Sequence, residues 1–274
     1  MYFLSIGAIF KNESCGLEEW ILNHLNEGVE HFYLINNGST DNFMPIIEKY
    51  NKYITLFNDN SRHSQQRLYN KYFMPIKNYS KWFMIIDIDE FVYSRKNYNK
   101  ITDYLKTINK NVSKIALFWK MYGSSGYINQ PDSIIHSFLN RKNILKISSE
   151  LKQIVKTSHL KQFGIHDHSV YNEIMYIGSN NKMMIGRNGD SLSEHNTEIC
   201  LSNLALHLNH YPIQSYEWFK NIKMTRGDVS SSIYEGVRND EYFKKYDTND
   251  VFDNELSLKI GNLELLKEKY SNIS

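Results

Sequence analysis

Two aspartates separated by a single residue follow an apolar run in the first third of the chain. The run Phe83–Ile86 is rich in β-branched and aromatic residues, and Asp87, Asp89 and Glu90 come directly after it. Such a run indicates a strand buried on both faces, and carboxylates at its end need a cation or hydrogen-bond donors to offset the cost of burial. Carboxylate oxygens suit Mg²⁺ or Mn²⁺ that carries the phosphates of a substrate. The Asp-x-Asp pattern is short and therefore weakly specific. The alternative interpretation is an acidic turn that caps the next helix.

Alternating strands and helices position this acidic segment. Strands are predicted over residues 3–10, 32–35, 54–57 and 82–89, with helical spacing of apolar residues after Leu17, Ile46 and Gln65. This order is typical of an α/β protein with a doubly wound, mostly parallel sheet. In such a sheet ligands bind beyond the carboxyl ends of the strands, so the two aspartates stand where a ligand would bind.

The composition is that of a soluble globular protein. The chain has 274 residues, of which 41% are hydrophobic and 23% are charged, and a chain of this length buries about three quarters of its unfolded surface in one core. A formal net charge of +2 excludes the strongly basic field that would make nucleic acid the main partner. The two cysteines, Cys15 and Cys200, are too few for a disulfide scaffold and indicate a reducing compartment.

No targeting or membrane-spanning segment is predicted. The apolar segment Met1–Phe10 lacks a basic start and is interrupted by polar residues. We therefore interpret it as the first core strand rather than a signal peptide. No run reaches the roughly 20 apolar residues that cross a bilayer. We therefore expect a cytoplasmic protein, with peripheral association with a membrane left open.

The chain is predicted to form one main domain with a short extension. Residues 1–230 hold the alternating elements, and residues 231–274 are expected to form a helical extension packed on the same domain. Over Glu255–Tyr270 the leucines and isoleucines recur at helical spacing, which predicts an amphipathic helix lying on the body.

Polar residues also follow the first two predicted strands. Lys11, Asn12 and Glu13 come after the first strand, and Asn37 and Asp41 lie in the loop after the second. Because the carboxyl ends of parallel strands meet at one edge of a sheet, we expect these side chains and the two aspartates to surround one ligand.

Six segments in order resemble one group of GT-A glycosyltransferases, the family 92 or DUF23-like (family 2-like) sequences. They are Lys11–His24, Asn37–Asn42, Lys81–Phe91, Trp119–Gly126, Lys152–His166 and Asn209–Gly227, and together they extend over about residues 3–230. Each motif is weakly specific by itself, and the specificity comes from their number and order. The resemblance implies a GT-A fold and the metal-dependent transfer of a hexose from a nucleotide sugar, above all a UDP-sugar, to a glycan acceptor with inversion.

The resemblance implies a nucleotide site built mainly from the first two loops. The residues that it assigns to the donor are Asn12, Glu13, Asn37, Asp41, Gln66, Arg67, Asp87, Lys156 and Lys223. In the alternative interpretation Gln66 and Arg67 begin an ordinary solvated helix, and the two lysines are surface residues. Asn36 and Asn37 stand where two aspartates are frequent. An asparagine can pair with a uracil edge, but the identity of the base is left open.

The resemblance also implies that Asp87 and Asp89 hold Mn²⁺ or Mg²⁺, which neutralises charge on the departing nucleoside diphosphate. A third metal ligand is expected from the carboxyl-terminal half. His166 is the first candidate, and His168 and His210 are the next ones. Alternating histidines on one strand often have a structural role instead.

The acceptor wall is expected at Trp119, Gly123, Ser124 and Ser125. An indole face stacks on a sugar ring, and glycine lets a backbone approach closely. The alternative places Trp119 in the core with a plain turn after it.

An inverting mechanism needs a general base within hydrogen-bond reach of the acceptor hydroxyl. Asp167 is the first candidate and Asp132 the second, while Glu90 is expected to stabilise the metal loop. Without such a base a retaining mechanism stays open.

Two other classes of function compete with glycosyl transfer. A nucleotidyltransferase acting on a sugar phosphate also places carboxylates at strand ends, but no glycine-rich phosphate loop with a following lysine comes after the first strand. A degenerate glycan-binding module is the second, and the intact pair Asp87 and Asp89 argues against it.

Overall fold

The computed structural model describes residues 1–144, 151–171, 176–181, 197–234 and 236–271. Its first part alternates strands and helices: β1 (Tyr2–Phe10), α1 (Ser14–Asn26), β2 (His31–Asn36), α2 (Met44–Lys49), β3 (Ile54–Asn58), α3 (Gln65–Phe73) and β4 (Ser80–Ile85). The middle holds β5 (Glu90–Ser94), α4 (Ile101–Thr107), β6 (Lys114–Met121), α5 (Ile134–Ser137), β7 (Asn140–Arg141), β8 (Leu151–Lys156), β9 (Leu160–Gln162), β10 (Ser169–Val170) and β11 (Tyr176–Gly178). The last part holds α6 (Thr197–Ser202), β12 (Leu206–His210), α7 (Tyr216–Trp218), α8 (Asp240–Tyr246), β13 (Val251–Phe252), α9 (Glu255–Ile260) and α10 (Leu263–Ser271).

One mixed sheet organises the molecule. Its strands run in the order β3-β2-β1-β4-β8-β6-β12-β5, and β11 pairs with β6. The strands β3, β2, β1 and β4 are mutually parallel, whereas β8 runs antiparallel to β4 and to β6. The predicted α/β class with a doubly wound, mostly parallel arrangement is confirmed.

The strand directions bring particular ends together at one edge of the sheet. The strands β1, β2, β4, β6 and β12 finish there, while β5 and β8 start there, because these two are antiparallel to their neighbours. We call this edge, at which most of these strands end, the carboxyl edge and the other one the opposite edge. The start of β8 therefore lies beside the end of β4, which sequence periodicity alone does not reveal.

The acidic strand is shorter than its prediction. Phe83, Met84 and Ile85 are fully buried, but β4 ends at Ile85 rather than at Asp89. Residues 86–89 form a turn into β5, and the Trp20 indole N–H donates to the carbonyl groups of residues 87 and 90 at 3.1 and 2.9 Å. The indole therefore supplies a hydrogen-bond donor to both carbonyl oxygens where the chain turns from β4 into β5.

The predicted helix over Glu255–Tyr270 is two helices, α9 and α10. Gly261 separates them with φ of 62°, a left-handed conformation that a regular helix cannot contain. Leu256, Ile260 and Leu266 are buried in the same hydrophobic cluster as the sheet, so the apolar face was predicted correctly. Among the described helices, none combines the length and the apolar character needed to cross a membrane.

Candidate active site

A cavity of about 350 Å³ opens at the carboxyl edge. Its wall is made by the loop after β1, the turn between β4 and β5, the ends of β6 and β12, and the chain that follows β12. This volume lies in the range of small-molecule sites. The predicted site residues that line it are Glu13, Asn37, Asp87, Asp89, Trp119, His166, His210 and Lys223.

Each aspartate of the turn is paired with a buried lysine. Lys223 Nζ donates to Asp89 Oδ2 at 2.5 Å, and Lys152 Nζ donates to Asp87 Oδ2 at 2.9 Å. His210 Nε2 lies 3.6 Å from the other oxygen of Asp89. Burial opposes ionisation of Asp89, but Lys223 and His210 outweigh it and hold the pKa of this carboxyl well below its usual range. Asp89 is therefore a permanent anion at neutral pH.

The Glu90 carboxylate stabilises the turn between β4 and β5. Its Oε2 accepts the Asp87 backbone N–H at 2.9 Å and lies 3.5 Å from Lys152 Nζ. Burial raises the pKa of Glu90 to about 7, against the opposing effect of Lys152. Its Oε1 is buried without a hydrogen-bond partner in the described part of the chain. The contact with the turn agrees with the role that the sequence predicted for this residue.

The register of β8 decides which of its lysines reaches the aspartates. Trp82 pairs with Lys156 and Met84 with Ile154, so Lys152 lies level with the turn that follows β4. Lys156 lies at the other end of β8, with its Nζ 5.0 Å from the Trp82 ring, and lines a different cavity. The structure does not bring Lys156 to the donor site, and it brings Lys152, which no site prediction included.

Asn12 and Asp41 tie the first two loops together. Asn12 has φ of 56°, and its side-chain oxygen accepts the backbone N–H of Thr40 at 2.7 Å. Asp41 Oδ2 accepts the backbone N–H of Ser14 at 2.7 Å, which satisfies a free donor in the first turn of α1. Neither residue lines the cavity. Both side chains instead fix the loops that do.

Asn37 and Glu13 reach the cavity itself. The Asn37 side-chain amide donates to the carbonyl oxygens of Asp59 and Ser61 at 2.7 and 3.0 Å. Glu13 is buried and forms an ion pair with Arg226. Burial raises the pKa of Glu13, and Arg226 opposes that rise. A polar pocket therefore lies next to the paired aspartates.

The helix α3 presents a different glutamine from the predicted one. Gln66 and Arg67 are exposed and do not line the cavity, whereas Gln65 is buried and lines it. Gln65 Nε2 donates to the Tyr69 hydroxyl at 2.8 Å. The buried residues 65, 68 and 69 follow helical spacing. This periodicity in the sequence indicates that Gln65, rather than Gln66, lies on the buried face.

The aromatic wall differs in part from the predicted acceptor wall. Trp119 lines the cavity, with its ring centroid 4.5 Å from that of His210 and 5.6 Å from that of His166. Tyr242 and Tyr246 on α8 line it as well, with ring centroids 4.4 Å apart. The two tyrosines were missed because α8 falls in the predicted extension.

The segment Gly123–Ser125 does not line the cavity. The backbone N–H groups of Ser124 and Ser125 donate to Asp247 and Asn249, each at 2.8 Å. A side chain at Gly123 would approach the carbonyl oxygen of Thr248 to 2.6 Å. These residues therefore hold the chain that follows α8, and with it the tyrosine pair.

Asp167 and His168 also lie away from the cavity wall. Asp167 Oδ1 accepts from Lys114 Nζ at 3.0 Å and from Gln153 Nε2 at 2.8 Å. Burial tends to raise the pKa of Asp167, but Gln153 and Lys114 lower it overall. His168 is buried, and burial lowers its pKa to about 3. His166 is the member of this triplet that lines the cavity, while Asp132 is an exposed residue outside it.

Cations from the chain after β12 complete the wall. Arg226 and Arg238 line the cavity together with Lys223, and Arg238 pairs with Asp228 at 2.9 Å. They follow a π-helical turn over Phe219–Lys223, an irregularity that often occurs at functional sites. With Lys11 and Arg62 also in the wall, the cavity is suited to an anionic ligand.

The side chains fit a divalent metal by their chemistry. Carboxylate and imidazole groups are ligands that Mn²⁺ accepts, and Asp87, Asp89, His166 and His210 line one cavity. A lysine holds one oxygen of each aspartate, Oδ2 in both cases. No ready-made group of three or more histidine, cysteine, aspartate or glutamate ligands exists within those residues. Lys152 and Lys223 would therefore share the aspartates with an ion.

The sequence of the whole chain now identifies its family. The family model described as Glycosyltransferase family 92 matches residues 4–254. The chain belongs to glycosyltransferase family 92. This confirms the family that the six motifs indicated. No curated protein matches the sequence.

Solved structures resemble the family 92 chain only distantly. TarS 1–349 from S. aureus in complex with UDP is 13% identical, with 90% of this chain and 70% of that chain covered and a TM-score of 0.40. Another TarS 1–349 structure is 18% identical, covers 58% of this chain and 48% of that one, and has a TM-score of 0.37. Glucosyl-3-phosphoglycerate synthase from Mycobacterium tuberculosis, solved with Mn²⁺, UDP and glucosyl-3-phosphoglycerate, is 9% identical, covers 58% of both chains and has a TM-score of 0.32. The family 92 chain thus spans about half the length of the second TarS structure.

Proposed function

We propose that this chain transfers a hexose from a nucleotide sugar, most simply a UDP-sugar, to a glycan acceptor with inversion and with the help of a divalent metal. The observation that carries the proposal is the turn between β4 and β5, in which each aspartate is paired with a lysine. Asp87 and Asp89 line one cavity together with Lys223 and Arg226. Family 92 membership supports the reaction class. Carboxylates for a metal and cations for a diphosphate, side by side, suit a leaving group that departs as an anion.

The donor would lie between the first two loops and the turn. Glu13, Asn37 and Gln65 line the part of the cavity suited to a base and ribose, while Asn12 and Asp41 fix the loops behind them. The diphosphate would then face Lys223 and Arg226. Lysine acts on phosphate as a point charge and arginine as a planar fork, and both charges are already in place before a donor binds.

The metal would be held by Asp87 and Asp89, with His210 as the third ligand. When bound, it neutralises charge on the departing nucleoside diphosphate. The protein prepares this site because Lys152 and Lys223 keep both carboxylates ionised and oriented. His210 Nε2 lies 3.6 Å from Asp89 Oδ1, and this proximity supports His210 for this role.

The acceptor would enter between Trp119 and the pair Tyr242 and Tyr246. Aromatic faces stack on the apolar faces of sugar rings. His166 lines the cavity beside Trp119, and we propose it as the general base. Asp167, the base first predicted from the sequence, is held by Lys114 and Gln153 outside the cavity wall and is the alternative.

Thermal unfolding with a panel of nucleotide sugars tests the proposal. A ligand that binds only the folded state stabilises it by about 2.7 kcal/mol at a hundredfold excess over its dissociation constant. We expect one UDP-sugar to raise the melting temperature, and to do so only when Mn²⁺ is present. The absence of a shift with every donor would contradict the proposal. Release of pyrophosphate from a nucleoside triphosphate and a sugar phosphate would instead support a nucleotidyltransferase.

A further inference from the structure

A second cavity, of about 490 Å³, lies at the opposite edge of the sheet. It forms where β4 begins and β8 ends, and its wall includes Ser80, Trp82, Lys156 and the chain after α4. It shares no lining residue with the first cavity. At about 3.3 Å per residue along a strand, its lining residue Trp82 is about 10 Å from Ile85, where β4 ends and the turn with Asp87 begins.

The charges in this wall are all positive. Lys81, Lys106, Lys110 and Lys156 line the cavity together with His159, and no carboxylate is found among the described lining residues. Among the described residues, Asp103 pairs with one of these lysines: its Oδ1 lies 3.5 Å from Lys106 Nζ, and both side chains are exposed. We call this space the basic cavity.

Lys156 is built into the basic cavity rather than placed on its surface. It is 9% exposed, and its Nζ donates to the carbonyl oxygen of Lys110 at 2.7 Å and lies 5.0 Å from the Trp82 ring. Burial, followed by the charge of Lys81, lowers the pKa of Lys156. A carbonyl oxygen takes one of the three donors of an ammonium group. Lys156 therefore meets a π face and a carbonyl oxygen, and no ion pair joins it to a carboxylate among the described residues.

Trp82 gives a second, independent indication of a ligand. The residue is 1% exposed, and its Nε1 is buried without a hydrogen-bond partner among the described residues. A buried indole N–H usually has a partner. Lys81 Nζ likewise lies 5.2 Å from the Phe3 ring, a distance at which the ring attracts the cation without supplying a full counter-charge.

We propose that the basic cavity binds a phosphate group, with Lys81, Lys110 and Lys156 as its cationic ligands. The group could belong to the headgroup of an anionic phospholipid or to a soluble phosphate compound. Tyr79, 62% exposed and next to the lining residues Asn78 and Ser80, has the amphipathic side chain that suits a membrane interface. The proposal does not depend on the transfer reaction, because the two cavities share no residue.

The test uses the full chain and the variant K81A/K110A, in which two exposed lysines are removed. Sedimentation with phosphatidylcholine vesicles containing about one third phosphatidylglycerol is compared with pure phosphatidylcholine. Because each lysine near an anionic surface contributes substantially to binding, we expect the wild type to bind the anionic vesicles at least about tenfold better than the neutral ones, and the variant to lose about tenfold. Titration with inorganic phosphate, followed by tryptophan fluorescence, forms the second arm.

The matched control is K52A/K269A. These lysines are also exposed, and each Nζ lies 4.8 Å from a tyrosine ring elsewhere on the molecule. Loss confined to K81A/K110A in the vesicle arm assigns the phosphate to a lipid headgroup, and loss confined to it in the phosphate arm assigns a soluble source. Binding in neither arm, or equal loss in both double variants, overturns the proposal. Donor-induced melting shifts should be the same in all three proteins.

Discussion

The two edges of the central sheet use the same two strands for opposite electrostatic arrangements. At the carboxyl edge, β4 leads to Asp87 and Lys152 is the second residue of β8, and the two side chains form an ion pair. At the opposite edge, the same strands bring Trp82 beside Lys156, where the ammonium group meets a ring and a carbonyl. One edge therefore pairs its buried lysine with a carboxylate, whereas at the other edge Lys156 has no ion pair with a described carboxylate.

The largest expected effect is at Asp89. We expect Asp89→Ala to abolish transfer, since loss of a ligand for charge stabilisation costs about a thousandfold or more. Asp89→Asn is the matched control, because it keeps the volume and removes the charge that pairs with Lys223. Turnover with a UDP-sugar and circular dichroism check activity and fold. Undiminished turnover in either variant would contradict the role of the turn.

A paired substitution of the two β8 lysines tests the comparison of the edges directly. Lys152→Met leaves Asp87 and Glu90 without their cation, so we expect a loss of about 3–5 kcal/mol in the free energy of unfolding, together with loss of transfer. Lys156→Met removes no counter-ion and should cost about 1 kcal/mol. Urea denaturation measures both. Equal losses would mean that the edges do not differ as described.

The protonation of Glu90 should be visible in the pH dependence of stability. Burial raises its pKa from the usual 4.5 to about 7, so between these values the folded protein holds a proton that the unfolded chain releases. The free energy of unfolding should therefore fall by about 3 kcal/mol as the pH rises through this window, with the full contribution present below it. Denaturation of metal-free protein across this range checks the slope. Glu90→Gln should flatten it, and an unchanged slope in that variant would assign it to another group.

The smallest expected effect is on the acceptor side. Trp119→Ala should impair use of the acceptor about fivefold while changing donor hydrolysis much less, because an aromatic stacking contact is worth about 1 kcal/mol. Tyr242→Ala should act in the same direction if the acceptor lies between the two aromatic groups. Steady-state kinetics with each substrate varied in turn separates the effects. Equal losses for donor and acceptor would argue against this wall.

Local sequence pattern predicted several of the residues that line the first cavity. The apolar run before Asp87 identified a buried strand, and the polar residues after the first two strands identified Glu13 and Asn37, which line the cavity. At α3 the predicted donor residue was Gln66, but its neighbour Gln65 is the one that faces the cavity. The helical spacing of the buried residues 65, 68 and 69 distinguishes the two. Gly123–Ser125 had a recognisable motif, but its contacts are with the chain after α8.

The sequence by itself determined which segments become buried strands and where carboxylates follow them, because hydrophobic periodicity acts over a few neighbouring residues. Only the tertiary structure decided which cations reach those carboxylates. Lys223 meets Asp89 across 134 positions, and the antiparallel register of β8 sends Lys152 to one edge and Lys156 to the other. Pairing between distant segments depends on the packing of the whole sheet, and no local pattern contains that information.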